Sequence, residues 1–278
     1  MSTDRELLLK SFALRRRMLR LIHHAGAGHT GGGLSCIDIL SALYNRVLSI
    51  TPEKADAPTR DRYVQSKGHC VEALYTVLSD RGYFPDADLD TVCRHGSKYV
   101  GHPTRKIRGI EMNTGALGHG LPICLGMALA ARMDGNAFRV FTLLGDGELA
   151  EGSNWEAAMA ASHYRLDNLA AILDHNTLQI TGHTRDVMRN DPLEDKWRAF
   201  GWEVRVVDGH DFAALVTALS TPHSGKPLFV IANTVKGKGV SFMENVAKWH
   251  HGVPSDAELA QALAELNAAE EKCRETLT

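Results

Sequence analysis

The sequence predicts an α/β fold built as a three-layer, doubly wound and mostly parallel sheet. Four short runs rich in Val, Ile, Leu and Phe lie in the second half of the chain, and each has the length of a buried strand. Segments with helical character separate these runs. Strands that alternate with helices form parallel sheets covered by helices on both faces. We therefore expect one layered domain spanning residues 1–278.

The composition is that of an ordinary globular protein and argues against several classes of function. A net charge of −2 gives no basic excess for binding nucleic acid or a membrane surface. The longest apolar run, residues 121–131, is shorter than the roughly 20 residues that span a bilayer. The chain shows no secretory signal, and its five cysteines form no pattern. We therefore expect a cytoplasmic protein with reduced thiols.

The first half of the chain predicts mainly helices. Residues 4–23 have an amphipathic pattern, and a glycine-rich loop follows at residues 26–33. Ser35 is predicted to be the N-cap of a helix that ends near residue 48, with Asp38 in the capping-box position. The remaining elements of this half are a short strand at 62–66, a helix ending near residue 82 and a buried helix at 118–131.

The second half alternates strands and helices more clearly. The predicted strands are residues 138–144, 169–174, 203–207 and 228–234. The helices between them are predicted near residues 154–164, 193–200 and 211–219. The tail from residue 256 to residue 277 is predicted to be a solvent-facing helix.

The most informative motif is Gly145-Asp146-Gly147, which directly follows the strand predicted at 138–144. Alone it also fits a structural turn. However, Asn176 follows the next strand, 30 residues later, and the carboxyl ends of neighbouring parallel strands meet at one edge of the sheet. A carboxylate, an amide oxygen, a backbone carbonyl and two phosphate oxygens suit octahedral magnesium. A helix starting near Gly152 would direct free amides at the phosphate.

This pattern resembles the thiamine diphosphate motif, and further segments resemble the transketolase family. The likeness extends over about residues 10–255, with the segments in the family's order: Gly28-His29-Thr30-Gly31-Gly32, Ser66-Lys67-Gly68-His69, Gly101-His102-Pro103, Thr114-Gly115-Ala116-Leu117-Gly118-His119-Gly120, Asn233-Thr234-Val235-Lys236-Gly237-Lys238-Gly239 and His251-Gly252-Val253-Pro254. The resemblance implies a single diphosphate-binding domain of the thiamine diphosphate-binding fold, with a helical tail from about residue 256.

The resemblance also implies a role for each matched residue. Magnesium, or another divalent cation such as Ca²⁺ or Mn²⁺, would be held by two side chains and one backbone carbonyl: Asp146, Asn176 and Leu178. The cofactor would be contacted by His69, Gly115, Ala116, Leu117, Gly147, Asn176 and His251. The substrate would be faced by His29, His102 and His251.

The family's reaction explains why histidines are needed. It moves a two-carbon ketol unit from a ketose or ketose phosphate to an aldose, and hydroxyl groups gain and lose protons when the carbon–carbon bond breaks. Histidine titrates near neutral pH and serves both steps. The four histidines beside glycines in matched segments are therefore expected to be functional: His29, His69, His102 and His251. Seven others are expected to cap helices or lie on the surface: His23, His24, His95, His163, His183, His210 and His223.

Three positions depart from the family pattern. Thr30 replaces the proline that usually follows the first histidine. His119 stands where full-length transketolases commonly have glutamine, and His175 precedes Asn176 where acidic or amide residues are more familiar. These changes remove no expected ligand, but they argue against the housekeeping pentose-phosphate enzyme.

The resemblance implies a second chain. A full transketolase continues into a domain that binds the aminopyrimidine ring and sugar phosphate, and this sequence has no residues for that domain. We therefore expect the N-terminal subunit of a split enzyme, paired with a separate C-terminal subunit in an α2β2 assembly. Two alternatives remain: a non-catalytic cofactor-binding scaffold, and the cofactor-binding subunit of a 2-oxo acid dehydrogenase or deoxyxylulose-phosphate synthase. The histidine loops favour ketol transfer.

Overall fold

The computed structural model describes residues 2–276 and confirms the predicted three-layer α/β fold. The strands are β1 (Arg62–Gln65), β2 (Val140–Gly145), β3 (Leu169–His175), β4 (Leu178–Gln179), β5 (Gly182–His183), β6 (Glu203–Asp208) and β7 (Leu228–Asn233). Five of them form one sheet in the order β1-β2-β3-β7-β6, and every pairing in it is parallel. The short β4 and β5 form a separate antiparallel pair. The strands predicted from the sequence are all present.

Helices cover both faces of the sheet. They are α1 (Asp4–Ala25), α2 (Thr30–Ala42), α3 (Val71–Asp80), α4 (Gly120–Met133), α5 (Gly152–His163), α6 (Thr184–Val187), α7 (Leu193–Ala199), α8 (Phe212–Ser220) and α9 (Asp256–Thr276). Side chains alternate along each central strand, so that Ile172 of β3 belongs to one core, which includes residues of α2 and α8, while its neighbour Leu173 belongs to a second core. That second core contains α4, α5 and α7.

The start of α2 differs from the prediction. The helix begins at Thr30, so Ser35 is a buried residue within it rather than an N-cap. Gly31, Gly32 and Gly33 belong to the helix. Glycine is needed at these positions because the neighbouring atoms lie too close for a side chain. A Cβ at Gly32 would lie 2.7 Å from Cys70 Sγ, and one at Gly33 would lie 2.7 Å from Met18 Sδ. Close packing, not loop formation, accounts for the glycine run.

The C-terminal helix faces solvent along most of its length, as predicted, but one face is packed. Ala262 and Leu266 of α9 are buried, and Arg16 of α1 forms an ion pair with Glu270 at 2.6 Å. The prediction of a helix continuing to Leu277 extends beyond the described residues. Over residues 2–276 the structure contains no helix long and apolar enough to cross a membrane.

Three helices begin at the carboxyl edge of the sheet. At the start of α4, the Gly120 amide donates to the hydroxyl of Ser66, just beyond β1. In the first turn of α2, the carbonyl of Gly31 accepts from the amide of Gly237, beyond β7. The third helix, α5, starts at Gly152 shortly after β2. The amino-terminal ends of α2, α4 and α5 therefore surround one region.

Candidate active site

The two predicted cation ligands follow adjacent strands. Asp146 comes directly after β2 and Asn176 directly after β3, and these strands pair with Gly145 opposite Asp174. The parallel sheet therefore places both side chains at one edge, as the motif spacing predicts.

The two carboxylate oxygens of Asp146 have different surroundings. Oδ1 accepts from the amide of Gly147 at 2.8 Å, whereas Oδ2 is buried and has no hydrogen-bond partner among residues 2–276. Burial and then the nearby Asp174 raise the pKa of this carboxyl above its ordinary value. A buried carboxylate oxygen with an unmet hydrogen-bonding capacity fits a cation ligand.

Asn176 is held in one orientation by its neighbours. Its amide nitrogen donates to Asp174 at 3.3 Å and to Ser35 at 3.4 Å, and its oxygen accepts from the amide of Leu178 at 3.2 Å. Asp174 also accepts from Ser35, Lys67 and Thr234. Residues 2–276 contain no group of three His, Cys, Asp or Glu side chains that could hold a metal by themselves. Any cation here would need further oxygen ligands, as magnesium bound to a diphosphate has.

Two buried lysines lie in the site and differ in their partners. Lys67 pairs with Asp174 and also donates to the carbonyl of Gly32 at 3.2 Å. Lys236 contacts the carbonyl of Leu178 at 3.4 Å and His250 Nδ1 at 2.9 Å, but forms no ion pair within the described part of the chain. Burial and the neighbouring Lys67 lower the pKa of Lys236. A buried cation without a carboxylate partner favours binding of an anion.

Glycines allow the loops to approach one another closely. At Gly147 a Cβ would lie 2.6 Å from Cβ of Gln179. Gly115 has φ of 138°, and a Cβ there would lie 2.4 Å from the imidazole of His102. Gly68 packs in turn on Gly115, since a Cβ at Gly68 would lie 2.7 Å from the amide nitrogen of Gly115. Side chains at these positions would fill the space between the loops.

A cavity of about 240 Å³ lies among these groups. Eight of the predicted site residues line it: His29, His69, Gly115, Leu117, Asp146, Gly147, Asn176 and Leu178. The other three do not line it: Ala116, His102 and His251, and all three are exposed. His102 packs on Gly115, and His251 is next to His29, so both lie beside residues that line the cavity.

Three of the four predicted histidines form a cluster together with one that the sequence did not indicate. The ring of His29 lies 4.9 Å from that of His69, 4.6 Å from His251 and 5.5 Å from His250. Burial, reinforced by the neighbouring imidazoles, lowers the pKa of His29 to about 4. Burial and then Lys236 lower the pKa of His250 to about 3. Both imidazoles are therefore neutral at pH 7.

Sequence reasoning missed His250, Lys67 and Lys236, which all line the cavity. The lysines stand beside glycines in loops that follow strands, and this context was a usable signal. His250 had no such signal, because only its neighbour His251 belongs to a recognisable segment. His210, expected to be structural, indeed bridges Asp38 and the amide of Val235 away from the cavity.

Comparison with protein families decides the relationship. A family model described as transketolase, thiamine diphosphate binding domain, matches residues 10–272. The chain belongs to this transketolase family. The match includes every residue predicted for the site.

Two transketolase relatives match over nearly their whole length. The chain is 47% identical to an apulose-4-phosphate transketolase subunit of Phocaeicola vulgatus, over 95% of this chain and 95% of that protein. It is 44% identical to the 6-deoxy-6-sulfo-D-fructose transketolase subunit SqwG of a Clostridium species, over 91% of this chain and 93% of that protein. Both relatives are named as subunits.

Solved transketolases are about twice as long. The transketolase of Leishmania mexicana superimposes with a TM-score of 0.86 at 26% identity, over 99% of this chain but 46% of that one. The Campylobacter jejuni transketolase superimposes with a TM-score of 0.84 at 29% identity, over 100% and 49%. The chain thus spans about half the length of these transketolases.

Proposed function

We propose that this chain is the N-terminal, cofactor-binding subunit of a two-chain transketolase. It would transfer a two-carbon ketol unit from a ketose or ketose phosphate to an aldose acceptor. The observation that carries the proposal is the meeting of Asp146 and Asn176 with the histidine cluster around one cavity. The match to relatives of similar length that are named as transketolase subunits supports it.

The site residues fit thiamine diphosphate with a divalent cation, which we take to be magnesium. The free oxygen of Asp146, the amide oxygen of Asn176 and the carbonyl of Leu178 would hold the cation. His69 would contact the diphosphate, and the two buried lysines would offset its charge. The rest of the cofactor contacts would come from Gly115, Ala116, Leu117, Gly147, Asn176 and His251.

When bound, the cofactor supplies an electron sink for cleaving the carbon–carbon bond next to a ketose carbonyl. The protein's part is to move protons at the substrate hydroxyls. His29 is neutral at pH 7 because its pKa is about 4, so it can accept a proton. His102 and His251, which are exposed beside the cavity lining, would bind hydroxyls and exchange protons with them.

A separate C-terminal subunit carrying the pyrimidine-binding domain would complete the enzyme, which we take to be a cytoplasmic α2β2 assembly. The relatives' names specify a sugar with a phosphate and a sugar with a sulfo group. We infer that the donor here is also a ketose with an anionic group.

The test is reconstitution with a pyrimidine-domain subunit, saturating cofactor and magnesium. Ketose donors with and without an anionic group would be offered, and release of the shortened aldose would be measured. The pair should turn over at least one ketose, and each chain alone should not. Robust turnover by this chain alone would contradict the two-chain proposal, and inactivity of the pair on every ketose would contradict ketol transfer.

A further inference from the structure

Thr30 is the first residue of α2, and its side chain is fully buried. Its hydroxyl donates to the backbone carbonyl of Gly252 at 2.6 Å, across 222 positions of sequence. Proline, which the resemblance leads one to expect here, has no hydroxyl and could not make this bond. The departure from the family pattern at Thr30 therefore creates a contact.

This hydrogen bond joins the segments that carry two of the histidines. Thr30 directly follows His29, and Gly252 directly follows His251. The two imidazole rings lie 4.6 Å apart with an interplanar angle of 66°. The bond is therefore one residue away from each ring.

The other contacts between these two segments are packing contacts of α2 and of the His29 ring with residues 247–251. Gly31 packs against Trp249, since a Cβ at Gly31 would lie 2.9 Å from the carbonyl oxygen of Trp249. Within residues 2–276, the hydroxyl of Thr30 provides the only side-chain hydrogen bond between the segments 29–31 and 249–252. Losing it would leave the carbonyl of Gly252 without this partner.

We propose that Thr30 is a positioning residue that sets the distance between His29 and His251. The proposal rests on the proposed function, because both histidines must reach one bound substrate. Proton transfer requires hydrogen-bond reach, and displacements of about 1 Å in an active site cost up to about a hundredfold in rate.

The experiment uses three variants in the complex reconstituted with the partner subunit. Thr30→Val keeps the shape and removes the donor, and Thr30→Ser restores the donor. Thr76→Val is the matched control, since Thr76 is a buried helical threonine whose hydroxyl also donates to a backbone carbonyl, that of Glu72. If the valine variant does not fold, Thr30→Ala replaces it.

Two readouts separate positioning from general destabilisation. We expect Thr30→Val to lower kcat about tenfold or more, Thr30→Ser to recover most of it, and Thr76→Val to leave it near wild type despite a similar loss of thermal stability. Titration of the His29 imidazole by NMR is the second readout. The groups that face this ring are Cys70, His69, His102, His250 and His251. With His251 displaced, His29 should titrate at higher pH in Thr30→Val only.

Equal effects of Thr30→Val and Thr76→Val on kcat, with an unchanged His29 titration, would overturn the proposal. Failure of the serine variant to recover activity would do the same. If the wild-type complex transfers no ketol unit, the proposed function fails instead. The NMR comparison still decides whether Thr30 sets the histidine spacing.

Discussion

The carboxylate of Asp146 has one oxygen bound to a backbone amide and, among residues 2–276, one oxygen without a partner. Asp146→Asn keeps the first contact and removes the charge, whereas Asp146→Ala removes both. Both variants should fold, and both should weaken magnesium-dependent cofactor binding at least about a hundredfold. Loss of a residue that only supports a metal ligand already costs about 10–100-fold. Calorimetry of the reconstituted complex would measure this, and unchanged affinity in the alanine variant would remove Asp146 from the cation site.

The histidines differ in their expected contributions to turnover. His29→Ala and His251→Ala should each lower kcat about 10²–10⁴-fold, the usual range for losing a general acid or base. His251→Ala should also weaken cofactor binding. His223→Ala is the control, because His223 lines a separate cavity with Asn168 and Leu169 at the amino edge of the sheet. If His223→Ala lowered kcat as much as His29→Ala does, the position of a histidine at the cavity would not determine its contribution to turnover.

The buried carboxyl group of Glu72 should make the stability of the fold depend on pH. It is 1% exposed, one carboxyl oxygen has no partner among residues 2–276, and burial raises its pKa from 4.5 to about 8. The folded state therefore keeps a proton that the unfolded state has lost, so stability falls as pH rises from about 4.5 to about 8. Glu72→Gln should remove this penalty, which is worth a few kcal/mol at pH 8.

Thermal unfolding at pH 5 and pH 8 would test the Glu72 prediction. The gain in Tm of Glu72→Gln over wild type should be larger at pH 8. A gain that is the same at both pH values would show that Glu72 does not keep its proton in the folded state.

Individual site residues could be predicted where two local signals coincided. Asp146 and Asn176 each follow an apolar strand and are separated by one strand–helix–strand unit, so the sheet brings them together. The partners of Asp174 could not be predicted, because Ser35, Lys67 and Thr234 reach it from three distant segments. His250 was missed for the same reason, since only the folded chain places it beside His29.

At the scale of elements, strands were predicted better than helix boundaries. β2, β3 and β7 are largely apolar on both faces and bounded by polar residues, so their ends are visible in the sequence. β6 was found instead from valines that alternate with Glu203 and Arg205. The start of α2 was misplaced by six residues because glycines usually end helices, whereas here they allow Cys70 and Met18 to pack closely. Such packing depends on tertiary neighbours and leaves no local signal.

The loop before α4 also depends on glycine, and this dependence is testable. Gly115→Ala forces an L residue to φ of 138° and places its methyl group 2.4 Å from His102. It should destabilise the chain by about 1–3 kcal/mol and weaken cofactor binding. Gly126→Ala is the matched control, since Gly126 lies within α4 with no heavy atom within 4 Å of a Cβ. It should stabilise the chain by about 0.5–1 kcal/mol.

Urea unfolding of the two alanine variants beside wild type would measure both shifts. The signs should be opposite. Equal changes in the free energy of unfolding at the two positions would show that the loop conformation at Gly115 tolerates a side chain. The proposed need for glycine in this loop would then be wrong.

At the scale of the whole molecule, apolar side chains remain exposed near the cavity and on the outer helices. Ile180, Val187 and Met188 are 66%, 47% and 55% exposed, and Met133 and Met159 are 79% and 54% exposed. The chain alone should therefore self-associate as its concentration rises, and the partner subunit should suppress this. Sedimentation velocity at several concentrations would follow it. Met188→Lys should reduce the association, whereas a monodisperse monomer at every concentration would argue against an uncovered subunit interface.

The convergence of helix ends has a consequence for ionic strength. The amino-terminal end of α2 lines the cavity, α4 and α5 begin at the same edge of the sheet, and the two lysines that line the cavity are buried. Buried ammonium groups are screened much less by dissolved ions than surface lysines are. The attraction for a diphosphate should therefore persist in concentrated salt. Buried groups, rather than charges on the surface, would keep the cofactor bound when the salt concentration in the cell changes.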